Sequence, residues 1–457
     1  MATTFTFDHT IDFSPENADT ILRTIPALPG VFALRGPRPT DEPYLTRAAD
    51  LRRRMRRLLN PPESQSKRLN LRDKVARIDY CITGSDFESS LVLYHAASAL
   101  FGHAEARRRL KLHTPTFLRF ALENPHPRVY ATNRLTRRSL DNTYGPFPSR
   151  LSAERYCDAV LDLFKLRRCH EDLHPYPEHP GCVYGEMKKC LEPCKQACTP
   201  DQYDAETKTV KAFFDTQGES MLTAISADRE QASAEMEFEK AASLHAQWQK
   251  VKAAASLADE IVQPIPNLHA VIVQEAAIPE GEHADQAAIF LLKGGCLAGP
   301  KLLSTLGVRA VKEQTSVGSS LFAQPLMLQA VPLEGEPATA SESPEERAKT
   351  ALENLDAKIA PASDLALLSD HLSLFRRWYY RPEKQRTGEI FLPNPDGTWP
   401  IRRILRGAAR MVLGEPKPMP DVQREAVKEA KVRILHEGRP DVERAVPVAA
   451  KRSDKRK

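Results

Sequence analysis

CLEPCKQAC, residues 190–198, is the stretch that says most about how this chain folds, because it concentrates three of the eight cysteines. Two more precede it, so that four thiols follow the spacing Cys169, twelve residues, Cys182, seven residues, Cys190, three residues, Cys194. Converging thiolates bind either a tetrahedral zinc ion or an iron–sulfur cluster, and spacing alone does not choose between them. The alternative is four ordinary buried thiols, which a loop-rich segment of low apolar content does not favour. We therefore predict a metal centre held by these four cysteines, with Cys198 as a spare ligand.

A run of arginines with few acidic neighbours lies in one predicted helix. The total of 65 Lys and Arg against 60 Asp and Glu gives a net charge of +5, which by itself indicates only a mild preference for acidic partners. Apolar residues recur at helical spacing from Leu51 to Leu59, and arginines cover the opposite face. A solvated helix face is the alternative, but the run has few acidic partners. We predict that it contacts DNA phosphates through Arg52, Arg53, Arg56 and Arg57.

The sequence gives no sign of a membrane or an export signal. No apolar run approaches the roughly 20 residues that span a bilayer. The N-terminal segment MATTFTFDHT, residues 1–10, also lacks a basic flank followed by an apolar block. We therefore expect a cytoplasmic protein with no membrane partner.

The pattern of strands and helices predicts an α/β multidomain protein. The predicted segments are a small α/β domain at 1–125, a connecting and cysteine-rich segment at 126–200, a helical hairpin at 201–257 divided at Gly218, a small β-rich fragment at 258–330, a flexible linker at 331–347, a helical region at 348–437 and a basic disordered tail at 438–457.

Three motifs around the cysteines resemble the UvrC family of bacterial nucleotide excision repair proteins. They are YGPFPS at 144–149, FKLRRC at 164–169 and CLEPCKQAC at 190–198, in the family's order and approximate spacing. The resemblance implies that the four cysteines hold a 4Fe-4S cluster with a structural or DNA-linked role. Zinc remains the alternative on ligand chemistry.

The segment EMEFEKAASLHAQWQKV, residues 235–251, resembles the UVR motif with which UvrC proteins bind UvrB. The resemblance implies a partner-binding helix whose contacting residues are Phe238, Glu239, Ala241, Ala242 and Trp248. One arm of an intramolecular hairpin is the plainer alternative. The chain departs from the motif at His245-Ala246, where an Arg-Asp pair is common, so a charged contact to UvrB would differ here.

The N-terminal segment resembles the GIY-YIG nuclease fold as UvrC proteins carry it. Its paired signatures are PGVF at 29–32 and YLTR at 44–47. By this resemblance Tyr44 keeps the second tyrosine, Arg47 stands where a lysine is usual, and Arg54 matches the arginine that stabilises developing charge.

The same domain departs from the nuclease pattern where catalysis needs it most. Phe32 replaces the first tyrosine, and Leu93 or Tyr94 occupies the position of the metal-binding glutamate. Without a carboxylate a magnesium ion has no anchor, so we expect an inactive or weakened nuclease. The alternative is an active excinuclease subunit that makes a metal-dependent 3′-side incision, with Glu88 as the replacement ligand.

The C-terminal half resembles only the beginning of the RNase-H-like half of UvrC. NLHAVIVQEA at 267–276 and LSLFRRWYYRPEKQRTGEIFLP at 372–393 carry this resemblance, and we find neither an aspartate-rich core nor a Gly-rich helix-hairpin-helix module after them. We therefore expect a truncated and divergent member that binds DNA and UvrB, with incision weakened or lost. A metal-cluster protein unrelated to repair is the remaining hypothesis.

Overall fold

The computed structural model describes residues 5–60, 69–278, 285–308, 343–359, 364–415, 431–436 and 439–447. Most of the predicted linker, residues 331–342, lies outside them. The architecture is mixed α/β, with three four-stranded antiparallel sheets and a two-stranded hairpin, as the sequence predicts in outline. No helix among the described residues is both long and apolar enough to cross a bilayer.

The N-terminal sheet has helices on both of its faces. Its strands are β1 (His9–Asp12), β2 (Gly30–Arg35), β3 (Tyr44–Ala48) and β4 (Arg77–Ile82), in the order β1-β4-β2-β3. The helices of this part are α1 (Ala18–Thr24), α2 (Leu51–Leu59), α3 (Asp86–Phe101) and α4 (His103–Arg109).

Helix α2 forms as the sequence predicts. The Asp50 carboxylate caps it by accepting a hydrogen bond of 2.8 Å from the Arg53 backbone N–H. Its apolar stripe is buried against the sheet beside Phe32 and Leu34, while the arginines occupy the outer face.

The middle of the chain forms a sheet that the sequence did not reveal, since only a connecting and cysteine-rich segment was predicted at 126–200. Its strands are β5 (Thr116–Ala121), β6 (Arg128–Thr132), β7 (Thr143–Phe147) and β8 (Gln263–Pro264), in the order β6-β5-β7-β8. Gly145 of the aromatic-Gly-Pro motif lies in β7, where a Cβ atom would approach the Phe117 ring to 2.7 Å. The glycine is therefore required by the close approach of β7 to β5.

The helices of this middle part differ from the prediction in number. They are α5 (Arg150–Leu161), α6 (Val183–Glu186), α7 (Pro200–Asp215), α8 (Glu219–Ala234) and α9 (Phe238–Ala255). The predicted division at Gly218 is confirmed, because this residue has φ +85° between α7 and α8. The prediction of only two helices in 201–257 is wrong, since the chain turns again at Met236, with φ +59°. The antiparallel hairpin is formed by α8 and α9.

The third sheet consists of β9 (His269–Glu275), β10 (Gln286–Lys293), β11 (Cys296–Ser304) and β12 (Glu389–Phe391), in the order β11-β10-β9-β12. Helices α10 (Pro344–Asp356), α11 (Leu365–Tyr379) and α12 (Ile401–Leu413) accompany it. The sequence predicts the β9 and β10 strands and the predominantly helical region after them.

The final unit, Leu413–Lys457, contains a hairpin of β13 (Lys431–His436) and β14 (Arg439–Pro447). The prediction of a disordered tail is wrong for β14. Its partner β13 alternates Val432 and Ile434 with basic residues, a period-two pattern typical of a strand that composition alone does not reveal.

Helix α3 ties the N-terminal sheet to the third sheet through one hydrophobic core. The Phe87 ring lies 5.1 Å from the Phe290 ring of β10 and 5.2 Å from the Trp378 ring of α11, measured between centroids. Leu91 and Tyr94, one and two turns further along α3, join the same core. The predicted N-terminal and C-terminal segments therefore share buried surface with each other.

Candidate functional site

The four predicted metal ligands lie in irregular segments around short turns. Cys169 follows α5, Cys182 caps α6, Cys190 lies in the loop after α6, and Cys194 lies in a one-turn 3₁₀ helix, Pro193–Lys195. The Glu192 backbone N–H lies 3.4 Å from the Cys190 sulfur. Loop backbone that donates to sulfur in this way stabilises a thiolate.

A buried arginine accompanies these sulfurs. Arg167 is 4% exposed, and its guanidinium lies 3.6 Å from the Cys169 sulfur. It also donates to the His126 and Glu171 carbonyl oxygens, at 2.8 and 3.0 Å. This network holds a positive charge beside the cysteines and accounts for an arginine in the FKLRRC motif.

The four thiols are close enough to act on one another electrostatically. Burial, together with the charges of Cys182, Cys169 and Cys194, raises the pKa of Cys190 to about 12. No group of three or more Cys, His, Asp or Glu side chains within the described ranges converges as a site for a single metal ion. The four thiols thus lie in one neighbourhood but do not converge on one point.

Two of the three predicted catalytic residues are brought together. Arg54 of α2 donates a hydrogen bond of 3.2 Å to the Tyr44 hydroxyl. Phe32, which the resemblance aligns with the first tyrosine, is fully buried in the core with its ring centroid 6.4 Å from that of Tyr44. This position therefore serves packing.

Arg47 does not join that pair. It follows Tyr44 by three residues in β3, so the two side chains point to opposite faces of the sheet. The Arg47 guanidinium instead forms an ion pair with Asp86 of α3 and donates 2.8 Å to the Ser90 hydroxyl. Arg381 pairs with the same Asp86 carboxylate at 2.5 Å.

The carboxylate proposed as a replacement metal ligand is engaged elsewhere. Glu88 is 5% exposed, and its carboxylate accepts a hydrogen bond of 2.8 Å from the Gly84 N–H. The Ser85 hydroxyl in turn accepts from the Glu88 N–H, so both side chains cap the first turn of α3. Burial raises the pKa of Glu88 to about 7.

Leu93 and Tyr94 are the two residues that the resemblance aligns with the family's metal-binding glutamate. Leu93 lines a cavity beside Arg47. The Tyr94 hydroxyl donates to the buried Asp370 carboxylate of α11 at 3.3 Å. Neither residue brings a carboxylate to the Arg47 side of the sheet.

The arginines of α2 divide into an engaged and an exposed group. Arg52 donates to the Ile25 carbonyl at 2.6 Å. Arg53, Arg56 and Arg57 are exposed, and none forms an ion pair with any residue of the described segments. These three are therefore the predicted DNA-binding arginines that α2 exposes to solvent.

The predicted partner-binding residues also divide into two groups. Phe238 is 69% exposed at the start of α9, next to Met236 at 75%, and both Glu239 and Ala242 are exposed as well. Ala241 and Trp248 are half-buried, with Trp248 packed on the core beneath the hairpin.

Sequence reasoning missed Asp86, Arg377 and Arg381, which surround Arg47 and the adjoining cavity. The segment FRRWYYR, residues 375–381, interleaves arginines with aromatic residues. This pattern is typical of nucleic-acid-binding surfaces and would have been the available signal.

Comparison with known proteins finds a family match in the central part of the chain. Residues 117–213, which contain the middle sheet and all four cysteines, match the UvrC/Cho excinuclease middle domain. This defines the central part of the chain as an excinuclease middle domain. This domain match and the relatives described next support a divergent member of the UvrC family. No solved structure matches it.

The related curated proteins are UvrABC system protein C from several bacteria. That of Idiomarina loihiensis is 24% identical over 50% of this chain and 36% of its own length. That of Francisella tularensis is 27% identical over 43% of this chain and 32% of its own. That of Edwardsiella ictaluri is 26% identical over 52% and 38%. The matched region thus spans about a third of the length of these relatives.

The buried carboxyl of Glu88 predicts a pH-dependent stability. Its pKa of about 7 lies above the ordinary value of 4.5, so ionisation destabilises the folded state as the pH rises from about 4.5 to about 7. Glu88→Gln keeps an oxygen for the Gly84 N–H and cannot ionise. We expect it to be more stable than the parent by roughly 1–3 kcal/mol at pH 8 and equally stable near pH 4.5.

Thermal unfolding midpoints at pH 5 and pH 8 measure this effect. Glu154→Gln is the matched control, because Glu154 is exposed on α5 and paired with Arg150. An E88Q variant that gains nothing between the two pH values would contradict the assignment.

Proposed function

We propose that this chain works in nucleotide excision repair by binding UvrB and DNA, with a nuclease domain whose incision activity is weakened or lost. The match of residues 117–213 to an excinuclease middle domain carries the proposal. The α8–α9 hairpin follows that domain directly, which is where the UVR-like motif occurs.

The tip of the hairpin has the properties of a partner-binding surface. Phe238 and Met236 are large apolar residues left exposed at a turn, beside charged Glu235, Glu237 and Glu239. Aromatic side chains with a charged rim are common centres of protein interfaces. We assign the UvrB contact to Phe238, Glu239 and Ala242, while Ala241 and Trp248 fix α9 on its own domain.

DNA binding is assigned to the exposed face of α2. Arg53, Arg56 and Arg57 lie on one side of a short helix whose other side is buried. Phosphate contacts of this kind are independent of base sequence and weaken with salt. Arg52 contributes indirectly by holding the helix to Ile25.

The arrangement around β3 supports the proposed loss of incision. An incising site of this type needs the hydroxyl, the arginine, the basic residue and a metal-binding carboxylate around one phosphate. Here Tyr44 and Arg54 lie on one face of the sheet, whereas Arg47 lies on the other in an ion pair with Asp86. Glu88 caps a helix.

One observation favours the second candidate, an active subunit that makes a magnesium-dependent 3′-side incision. The Tyr44–Arg54 hydrogen bond keeps a phenol and a guanidinium together, as charge stabilisation at a phosphate requires. A metal ligand would then have to come from elsewhere.

We further propose a 4Fe-4S cluster on Cys169, Cys182, Cys190 and Cys194. The donor set is four soft thiolates in one neighbourhood, with a buried guanidinium and backbone N–H groups directed at sulfur. A tetrahedral zinc with Zn–S bonds of about 2.3 Å draws its ligands to one point, whereas a cluster keeps them further apart. Zinc is the alternative, and the absorption measurement described below distinguishes it from the cluster.

The UvrB contact predicts the effect of Phe238→Ala. Removing an exposed aromatic anchor should lower retention of the full chain on immobilised UvrB at least about tenfold, as for an interface hot spot. Leu257→Ala is the control, since Leu257 is 48% exposed beyond the far end of α9. Equal retention of both variants and the parent would place the contact elsewhere.

Incision is tested on a lesion-bearing duplex with UvrB and magnesium. We expect no cleavage above background. Site-specific cleavage that disappears in Arg54→Ala but persists in Arg150→Ala would establish the active alternative, because Arg150 lies on α5, paired with Glu154 and away from the assigned DNA contact.

The cluster is tested by absorption of anaerobically purified protein. A 4Fe-4S centre absorbs in the visible range at about 400 nm, whereas zinc is colourless. Cys190→Ser should lose most of the iron, and Cys296→Ala, a buried thiol of another core, should keep it. If the purified protein is colourless and contains zinc, the four cysteines hold a zinc ion and the cluster assignment is wrong.

A further inference from the structure

A cavity of about 170 Å³ lies between α3 and α11, beside Arg47. Its inner wall is apolar and consists of Phe87, Leu112, Leu374 and Trp378, each of which is at most 6% exposed. Such a wall offers a binding surface for a flat apolar ring.

The opening of the cavity is strongly basic. Arg47, Arg377 and Arg381 line the cavity together with Ser90, and its lining contains no acidic residue from the described part of the chain. Asp86 lies beside the opening and pairs with both Arg47 and Arg381. One carboxylate against three guanidiniums leaves a positive potential at the opening, which favours an anionic group.

The positions of these arginines are fixed by the protein before any ligand arrives. Arg377 donates to the Leu110 carbonyl oxygen at 3.0 Å and to the Lys111 carbonyl oxygen. Arg47 donates to Ser90, and Arg381 is held by Asp86. Preorganised guanidiniums bind phosphate with little loss of side-chain freedom.

The size of the cavity limits the ring that it accepts. An apolar cavity of about 150 Å³ holds a benzene ring, so about 170 Å³ admits one six-membered ring and is too small for a fused purine. A pyrimidine base has an apolar edge at C5 and C6 that suits the inner wall. Its carbonyl oxygens would face Ser90 and the guanidiniums at the opening.

We propose that this cavity binds a single unstacked pyrimidine nucleotide, with its base against Phe87 and Trp378 and its phosphate on Arg47, Arg377 and Arg381. Thymidylate suits the pocket best, because its C5 methyl group adds apolar contact. The nucleotide belongs either to a DNA strand, in which case the pocket deepens the proposed repair function, or to the free pool.

Calorimetric titration of the full chain with dTMP, thymidine, inorganic phosphate and dGMP tests the proposal. We expect dTMP to bind at least about tenfold more tightly than each of the others, which corresponds to about 1.4 kcal/mol. Thymidine lacks the phosphate, phosphate lacks the ring, and dGMP exceeds the cavity. Inorganic phosphate that binds as tightly as dTMP would overturn the proposal, as would the absence of dTMP binding.

Two substitutions connect the binding to this cavity. Leu93→Phe adds volume to its lining, and Arg381→Gln removes one positive charge from its opening. Each should weaken dTMP binding at least about tenfold. Leu151→Phe and Arg150→Gln are the matched controls on α5, where Leu151 is 56% exposed and Arg150 is paired with Glu154. If neither cavity variant changes dTMP affinity, the assigned pocket is wrong.

A short oligothymidylate separates the two sources of the nucleotide. Tighter binding than dTMP, lost in Leu93→Phe, assigns the pocket to a DNA strand, whereas equal or weaker binding assigns it to free nucleotide. The combined Arg56→Gln and Arg57→Gln change should lower duplex affinity without altering dTMP binding. If the chain is retained on UvrB but does not bind dTMP, the pocket proposal is wrong and the proposed repair function stands. If it binds dTMP but is not retained on UvrB, the proposed repair function is wrong and the pocket proposal stands.

Discussion

The buried carboxylate of Asp370 is the constraint on which the arrangement of the chain depends. It is 0% exposed on α11, and burial raises its pKa. An ion in such a place requires partners, and they come from the N-terminal part of the chain: Arg107 at 3.1 Å, and His103 and the Tyr94 hydroxyl each at 3.3 Å. Removing one partner of a buried ion pair typically costs about 3–5 kcal/mol, so this contact specifies where α11 lies against α3 and α4.

Helix α11 transmits that constraint to the other two sheets. The Leu297 N–H of β11 donates to His371 Nδ1 at 3.0 Å, which fixes a neutral imidazole acceptor inside the third sheet's core. On the middle domain, Arg376 donates to the Pro148 carbonyl at 3.3 Å, and the Tyr380 hydroxyl donates to the Pro146 carbonyl at 3.0 Å. Both acceptors belong to the YGPFPS motif. Because α11 is buried on several sides, its polar side chains need defined hydrogen-bond partners, just as its apolar side chains need defined packing.

The sequence predicted those features that depend on local pattern. The apolar stripe of α2, the β9 and β10 strands and the helix break at Gly218 each follow from residues adjacent in the chain. The four cysteines were recognisable because their spacing is local too. Their ligand role is still a prediction, as are the predicted domain boundaries and the catalytic and partner-binding roles.

What the sequence could not provide was contact between distant segments. Arg47 and Arg381 lie far apart in the chain, yet both form ion pairs with Asp86. The Glu88 carboxylate accepts a hydrogen bond from the Gly84 N–H because both residues lie at the start of α3. Motif alignment gives each position a role but does not say on which side of a strand it lies. The odd spacing of Tyr44 and Arg47 does contain that information, since strand side chains alternate between faces.

The same long-range contacts also shape the cavity beside Arg47. The resemblance to a nuclease predicts a metal-binding carboxylate near this position, and the apolar Leu93 lines the cavity there. When α11 packs there through Phe87 and Trp378, it brings Arg377 and Arg381 as well. These arginines give the cavity a basic lining, which suits the anionic ligand proposed above. Helix α11 and the residue that follows it closely, Arg381, thus supply both apolar packing and positive charge to this cavity.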